Sequence, residues 1–88
     1  MTTQGEIQTA SSTELRAAIQ DLPPSAKLVA LVLEHEGTLS QQEIAAESLL
    51  PERTVRLGLG QLQEIDVVES RTSLRDARKR LYSLKVEP

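Results

Sequence analysis

A chain of 88 residues with no phenylalanine, no tryptophan and a single tyrosine, Tyr82, must fill its interior almost without aromatic side chains. Leu, Val, Ile and Ala remain to supply the buried apolar area that drives folding, and such a core is easiest to assemble from helices. The length suits one small domain, since two would each bury too little surface to be stable. Cysteine is absent, which excludes disulfides and thiolate-bound metals. The longest near-apolar run, Leu28 to Leu33, is far shorter than the ~20 residues a membrane-spanning helix needs. Residues 1–12 lack the basic patch and apolar stretch of a secretory leader. A cytoplasmic protein is expected.

Apolar spacing divides the chain. Residues 1–11 are polar, include Gly5 and show no sustained period, so they read as a disordered tail ahead of a domain spanning 12–88. Ser12 or Thr13 can cap a first helix, with Glu14 favourable in its opening turn. Leu15, Ala18, Ile19 and Leu22 form one helical face, and Pro23-Pro24 end it. Ser25 is the expected cap of a second helix reaching about Glu36. The middle of that helix, residues 28–33, is apolar all round, which predicts the most buried element. Gly37 supplies a left-handed stop, and Thr38-Leu39 amount to one short strand at most. Ser40 with Glu43 three residues later is a capping box. It opens a short helix to about Ser48, with Ile44 and Ala45 facing inward. Leu49, Leu50 and Pro51 make a tight connection. A further helix then starts at Pro51 or Glu52, and its Val55, Leu59 and Leu62 keep helical spacing. Gly58 and Gly60 inside it each cost about 1 kcal/mol relative to alanine.

After Ile65 the period changes to two. Residues 67–71 and 79–86 suit strands, and Tyr82, Leu84 and Val86 share one face of the second. The polar segment between them, 72–78, is a hairpin loop. The predicted fold is therefore α+β and mainly helical, with three to four helices followed by a two-stranded β-wing. That order is the order of a winged helix-turn-helix.

The segment Gly37-Thr38-Leu39-Ser40-Gln41-Gln42-Glu43-Ile44-Ala45, followed by Leu50-Pro51-Glu52-Arg53-Thr54-Val55-Arg56, resembles the helix-turn-helix of winged-helix transcription regulators. Residues 59–68 are similar to the end of a recognition helix running into the first wing strand. Arg71, Asp76-Ala77-Arg78 and Leu81-Tyr82-Ser83-Leu84 resemble the wing of the MarR (multiple antibiotic resistance regulator) family, whose loop typically carries an Asp-x-Arg pair. The resemblance covers roughly residues 23–86. It implies a DNA-binding regulator of transcription that works as a dimer. The turn before the first wing strand usually carries glycine in that family, and Asp66 stands there in this chain. The excess of arginine over lysine and the acidic first half are also similar to small archaeal regulators from saline habitats.

A net charge of −3 looks wrong for a nucleic-acid partner, but the average conceals a split. Residues 1–48 carry −5 and residues 49–88 carry +2. Within 71–85, Arg71, Arg75, Arg78, Lys79, Arg80 and Lys85 face only Asp76, a local +5. Nearby charges set a surface field more than the total does.

These residues define the candidate site. A helix of about 52–65 that buries Val55, Leu59 and Leu62 presents Arg53, Thr54, Arg56, Leu57 and Gln61 on its other side. Arg suits guanine and Gln suits adenine, while Leu57 or the Thr54 methyl suits a thymine methyl. Gly60 on that side permits close approach. In a wing of about 67–86, Arg75 and Arg78 are candidates for the minor groove, with Asp76 orienting an arginine through a charge-assisted bond. Arg71, Lys79 and Arg80 are placed to meet phosphates, as are Gln41 and Gln42 at a helix N-terminus.

Other chemistries find little support. His35 between Glu34 and Glu36 has no second ligand cluster to make a metal site. Gly58-Leu59-Gly60 mimics the start of a dinucleotide motif, but no strand precedes it. No nucleophile constellation appears, so neither enzyme activity nor a cofactor is expected. The first helix can pack on its own domain or on a second copy, and a homodimer through it is expected because paired half-sites multiply affinity. The rival class is a winged-helix module that docks proteins and does not bind DNA, for which the 71–85 basic cluster has no use.

Overall fold

In a computed structural model that describes residues 13–85, the second helix carries two later helices and one strand. The expected tail, 1–11, and Val86 lie outside the described residues. Residues 13–19 belong to α1; α2 follows as Pro24–Glu36. Its N-cap is Pro23, in an extended conformation with no side-chain cap, so Ser25 does not have the capping role expected of it. Proline tolerates this place because a first-turn residue needs no N–H and its fixed φ already suits a helix. The Lys27 N–H donates to the Pro23 carbonyl at 3.1 Å and closes the turn.

Burial along α2 is one-sided, which corrects the expectation that its middle is covered all round. Ala26, Val29, Ala30 and Leu33 are buried, whereas Leu28 is 37% exposed and Leu31 and Val32 are half-buried. The reason is supply: α3, α4 and β3 pack on α2, and the described residues include no further layer for its other side. A smaller correction concerns α1. Leu15 and Ile19 are buried and Leu22 packs at the margin of the core, but Ala18 is exposed. At the edge of the 15/19 stripe, a single methyl does not reach the core.

Gly37 ends α2 with φ +95°, and its N–H donates to the Leu33 carbonyl at 2.8 Å. Strand β1, Leu39–Ser40, leads into α3, Gln41–Ser48, which has the expected capping box. The Ser40 N–H donates to Glu43 Oε1 at 2.8 Å, and the Glu43 N–H donates to Ser40 Oγ at 3.2 Å. Leu49 turns the chain with φ +64°, and Pro51 is the N-cap of α4, Glu52–Glu64.

Helix α4 buries Val55, Gly58, Leu59 and Leu62. A β-carbon on Gly58 would lie 3.2 Å from the Ala26 Cα and 3.4 Å from Val29 Cγ2. This glycine, expected only as a cost to the helix, is what lets α4 approach the backbone of α2. Leu33, Ile44, Leu59, Leu62, Val29 and Val55 form the fully buried centre.

Asp66 takes φ +63°, the left-handed conformation for which glycine is usual and Asp is among the more tolerant residues. The wing follows as β2, Val68–Thr72, and β3, Arg80–Leu84, each strand starting one residue later than predicted. β2 pairs antiparallel with β3, with Ser70 opposite Tyr82 and Arg71 opposite Leu81. The sheet has three strands, in the order β1-β3-β2, because Leu39 and Ser40 pair with Tyr82 and Leu81. β1 thus ties the start of α3 to the wing. Among the described residues no helix is long and apolar enough to cross a membrane.

Candidate nucleic-acid interface

The candidate residues named from the sequence fall mainly on two surfaces of different origin. The first is the outward face of α4. Burying Val55, Gly58, Leu59 and Leu62 forces Arg53, Arg56, Leu57 and Gly60 to the outside, one stripe at i, i+3, i+4 and i+7. Arg53, Arg56 and Leu57 are exposed, and Thr54 and Gln61 flank them half-buried. Leu57 is 64% exposed. Nothing lies within 4 Å of the place a Gly60 β-carbon would occupy, so the stripe ends in a gap open to solvent.

The second surface is a cleft of about 430 Å³ between the start of α3 and the wing. Gln41 and Gln42 line one side; Asp76, Arg78, Lys79 and Arg80 line the other. The first turn of a helix has backbone N–H groups without helical acceptors, so the α3 end adds donors to a cationic wall. Gln41 Nε2 donates to Glu52 Oε1 at 3.4 Å, and Arg80 donates to Ser70 Oγ at 3.3 Å. Tyr82 also lines the cleft. The sequence pattern places it on one strand face with Leu84 and in the wing, but not among the candidate site residues. Its single-tyrosine status and its place next to the basic run were the available signals.

The wing loop is held by its own hydrogen bonds. Ser73 donates its N–H to the Lys79 carbonyl at 2.8 Å, and Lys79 donates to the Asp76 carbonyl at 2.9 Å. Ser73 Oγ accepts the N–H groups of Arg75 and Asp76 at 3.1 and 3.3 Å. Asp76 Oδ1 accepts the Arg78 N–H at 3.0 Å and lies 3.7 Å from Arg78 Nε. Ser73, the organiser of this loop, was missed in the sequence, where it was one polar loop residue among several.

The basic residues of the wing do not form one patch. Sheet alternation puts Ser70 and Arg80 on the Tyr82 side and Arg71 on the Leu81 side. Accordingly Arg71 and Arg75 line a separate concavity, about 520 Å³, together with Leu74 and Leu81. Lys85 lies apart from both, donating to Asp66 Oδ1 at 2.7 Å.

At the cleft, the Ser40 N–H holds the Glu43 carboxyl below the usual glutamate value; partial burial opposes this, while the Ser40 hydroxyl and the Lys79 charge assist. Glu43 is thereby committed to capping α3. His35 is exposed, with Nε2 3.8 Å from Glu36 Oε2. The described residues contain no group of three or more His, Cys, Asp or Glu side chains placed to hold a metal.

Helices α2 to α4 around one aliphatic core, with β1 pairing to a two-stranded hairpin, make this chain a winged helix. No protein-family model matches it, and no curated protein matches it in sequence. Solved structures do. A probable transcriptional regulator from Pseudomonas aeruginosa is 17% identical, with TM-score 0.71 over 94% of this chain and 67% of its own. A MarR family transcription regulator is 15% identical, with TM-score 0.71 over 94% of this chain and 56% of its own. BpsR of Bordetella bronchiseptica, a protein whose DNA binding is regulated by 6-hydroxynicotinic acid, is 20% identical, with TM-score 0.70 over 92% of this chain and 62% of its own. The fold is therefore that of MarR-type regulators, and the chain spans between 56% and 67% of the length of these three structures.

Proposed function

We propose that the chain is a cytoplasmic regulator of transcription that binds double-stranded DNA sequence-specifically, with α4 in the major groove and the wing on the backbone and minor groove. The observation that carries this reading is the cationic cleft at the start of α3, where Gln41, Gln42, Arg78, Lys79 and Arg80 come together beside the helix. Such a site receives phosphates, and phosphate contacts set the register in which a helix reads bases. On α4, Arg53, Arg56 and Gln61 read base edges, with Thr54 and Leu57 against thymine methyls. Asp76 aims Arg78 and does not touch DNA.

The functional unit is a homodimer paired through the N-terminal helix, and no catalytic step is assigned to it. The apolar strip Leu28, Leu31 and Val32 of α2, only partly covered among the described residues, supports pairing on this side of the domain, since Leu15 and Ile19 of the N-terminal helix are used by its own core. Light scattering at micromolar concentration is expected to return twice the chain mass; the monomer mass overturns the dimer.

The DNA reading is tested by fluorescence anisotropy of mixed-sequence duplexes across a salt series. A log–log slope of several units is expected, about 0.9 for each phosphate neutralised. No binding at low salt by the folded protein overturns it in favour of a protein-docking module.

A further inference from the structure

We infer that Leu74 is a wedge: it enters the minor groove, opens a base step and bends the duplex that the wing grips. The inference rests on the DNA-binding reading and adds to it a deformation of the partner. Leu74 is fully exposed, at 104%, more than any other large apolar side chain among the described residues. It lies in the loop beyond the last strand pair, Thr72 with Arg80, where a polar residue would meet every local demand. Leu74 takes no part in the core cluster.

The side chain is not on a loose segment. Ser73 before it is bonded to Lys79, and the N–H groups of Arg75 and Asp76 after it both donate to Ser73 Oγ. Leu74 is therefore held outward by bonded backbone on either side, so little conformational freedom is lost when it inserts. The surroundings specify the occupant. Arg71 and Arg75 flank Leu74 around one concavity, so the partner has anionic edges and an apolar, stackable interior. Duplex DNA has both: phosphates along the groove walls, and base steps into which leucine side chains insert in proteins that bend DNA. The separation of Arg71 and Arg75 from the cleft, set by strand alternation, fits a division of tasks. The cleft residues grip one stretch of backbone, and the Arg71–Arg75 side meets the groove into which the wedge goes.

The test uses the full chain and an A·T-rich duplex of about 20 base pairs with a flexible central TA step, carrying donor and acceptor dyes at its ends. Binding is read by anisotropy and bending by energy transfer on the same samples. Wild-type protein is expected to bring the ends closer. Leu74→Ala, folded by circular dichroism, is expected to bind about tenfold more weakly with an unchanged salt slope and to abolish the rise in energy transfer. Leu74→Met, still a long apolar side chain, is expected to retain the bend. Wild-type binding without bending overturns the wedge and leaves the DNA reading intact, as does a Leu74→Ala protein that bends DNA like the wild type. No salt-dependent binding by the wild type overturns both.

Discussion

Gly58 and Gly60 lie two residues apart in one helix and answer to different masters. Gly58 faces α2, where a β-carbon would meet the Ala26 backbone at 3.2 Å; Gly60 faces open space, with nothing within 4 Å. The same contrast extends along α4. On one side Val55, Leu59 and Leu62 are wholly or almost wholly buried, and their identity is set by packing. On the other, Arg53, Arg56 and Leu57 make no contribution to the core. Residues freed from the fold's demands are available to a partner, whereas the identity of the buried ones is held by stability.

The largest separation of the two faces is expected from Leu62→Ala and Arg56→Ala. Removing the buried Leu62 side chain is expected to cost about 2–5 kcal/mol in urea denaturation, whereas Arg56→Ala is expected to leave the unfolding midpoint essentially unchanged. If Arg56→Ala unfolds the protein as Leu62→Ala does, the division between faces fails.

Within the exposed set, Arg56 and Arg78 are expected to differ in kind. Arg56→Ala is expected to lose about 1–3 kcal/mol at particular base positions and so change which sequences are preferred. Arg78→Ala is expected to weaken all sequences alike and lower the salt slope by about 1. Binding-site selection with each variant checks this, and equal losses on every sequence from both remove the reading role of Arg56.

At the seam between core and cleft, Ser40→Ala is expected to cost about 1 kcal/mol through loss of the α3 cap. The capped carboxylate adds a pH dependence. Glu43 titrates lower in the folded protein than in the unfolded chain, so its contribution is complete above the unfolded value of about 4.3 and is lost as pH falls through the lower, folded value. Denaturation midpoints compared with Glu43→Gln at neutral and acid pH are expected to show the wild-type advantage shrinking in acid.

The smallest effects return to the two glycines. Gly60→Ala is expected to stabilise by about 0.5–1 kcal/mol, the ordinary gain of alanine in a helix. Gly58→Ala is expected to lose about 1 kcal/mol net, because the crowding against Ala26 outweighs the same propensity gain. Thermal unfolding of the pair decides it; stabilisation by both would mean the α2–α4 contact gives way easily.

Much of this fold was legible without coordinates where the cause is local. The Ser40–Glu43 capping box spans three residues and satisfies its own donors, so its sequence signature and its geometry are nearly the same statement. Gly37 stops α2 for a reason confined to its own φ. The Val55, Leu59, Leu62 spacing named the buried side of α4, and with it the exposed candidates Arg53, Arg56 and Leu57. Ser25 and Ala18 show where local rules mislead: Pro23 displaced the serine as the start of α2, and Ala18 lies too far round the helix to reach the core.

The sequence by itself determined the element order, the helix boundaries near their caps and the change from helical to alternating period, because hydrogen-bonding chemistry and side-chain direction act within a few residues. Only the tertiary structure decided which side of α2 is covered, that Gly58 is a contact and not a flaw, that β1 joins the wing, and that the wing arginines divide between two surfaces. Each of these depends on strand register or helix approach between segments distant in the chain, where a shift of one residue exchanges the faces of a strand.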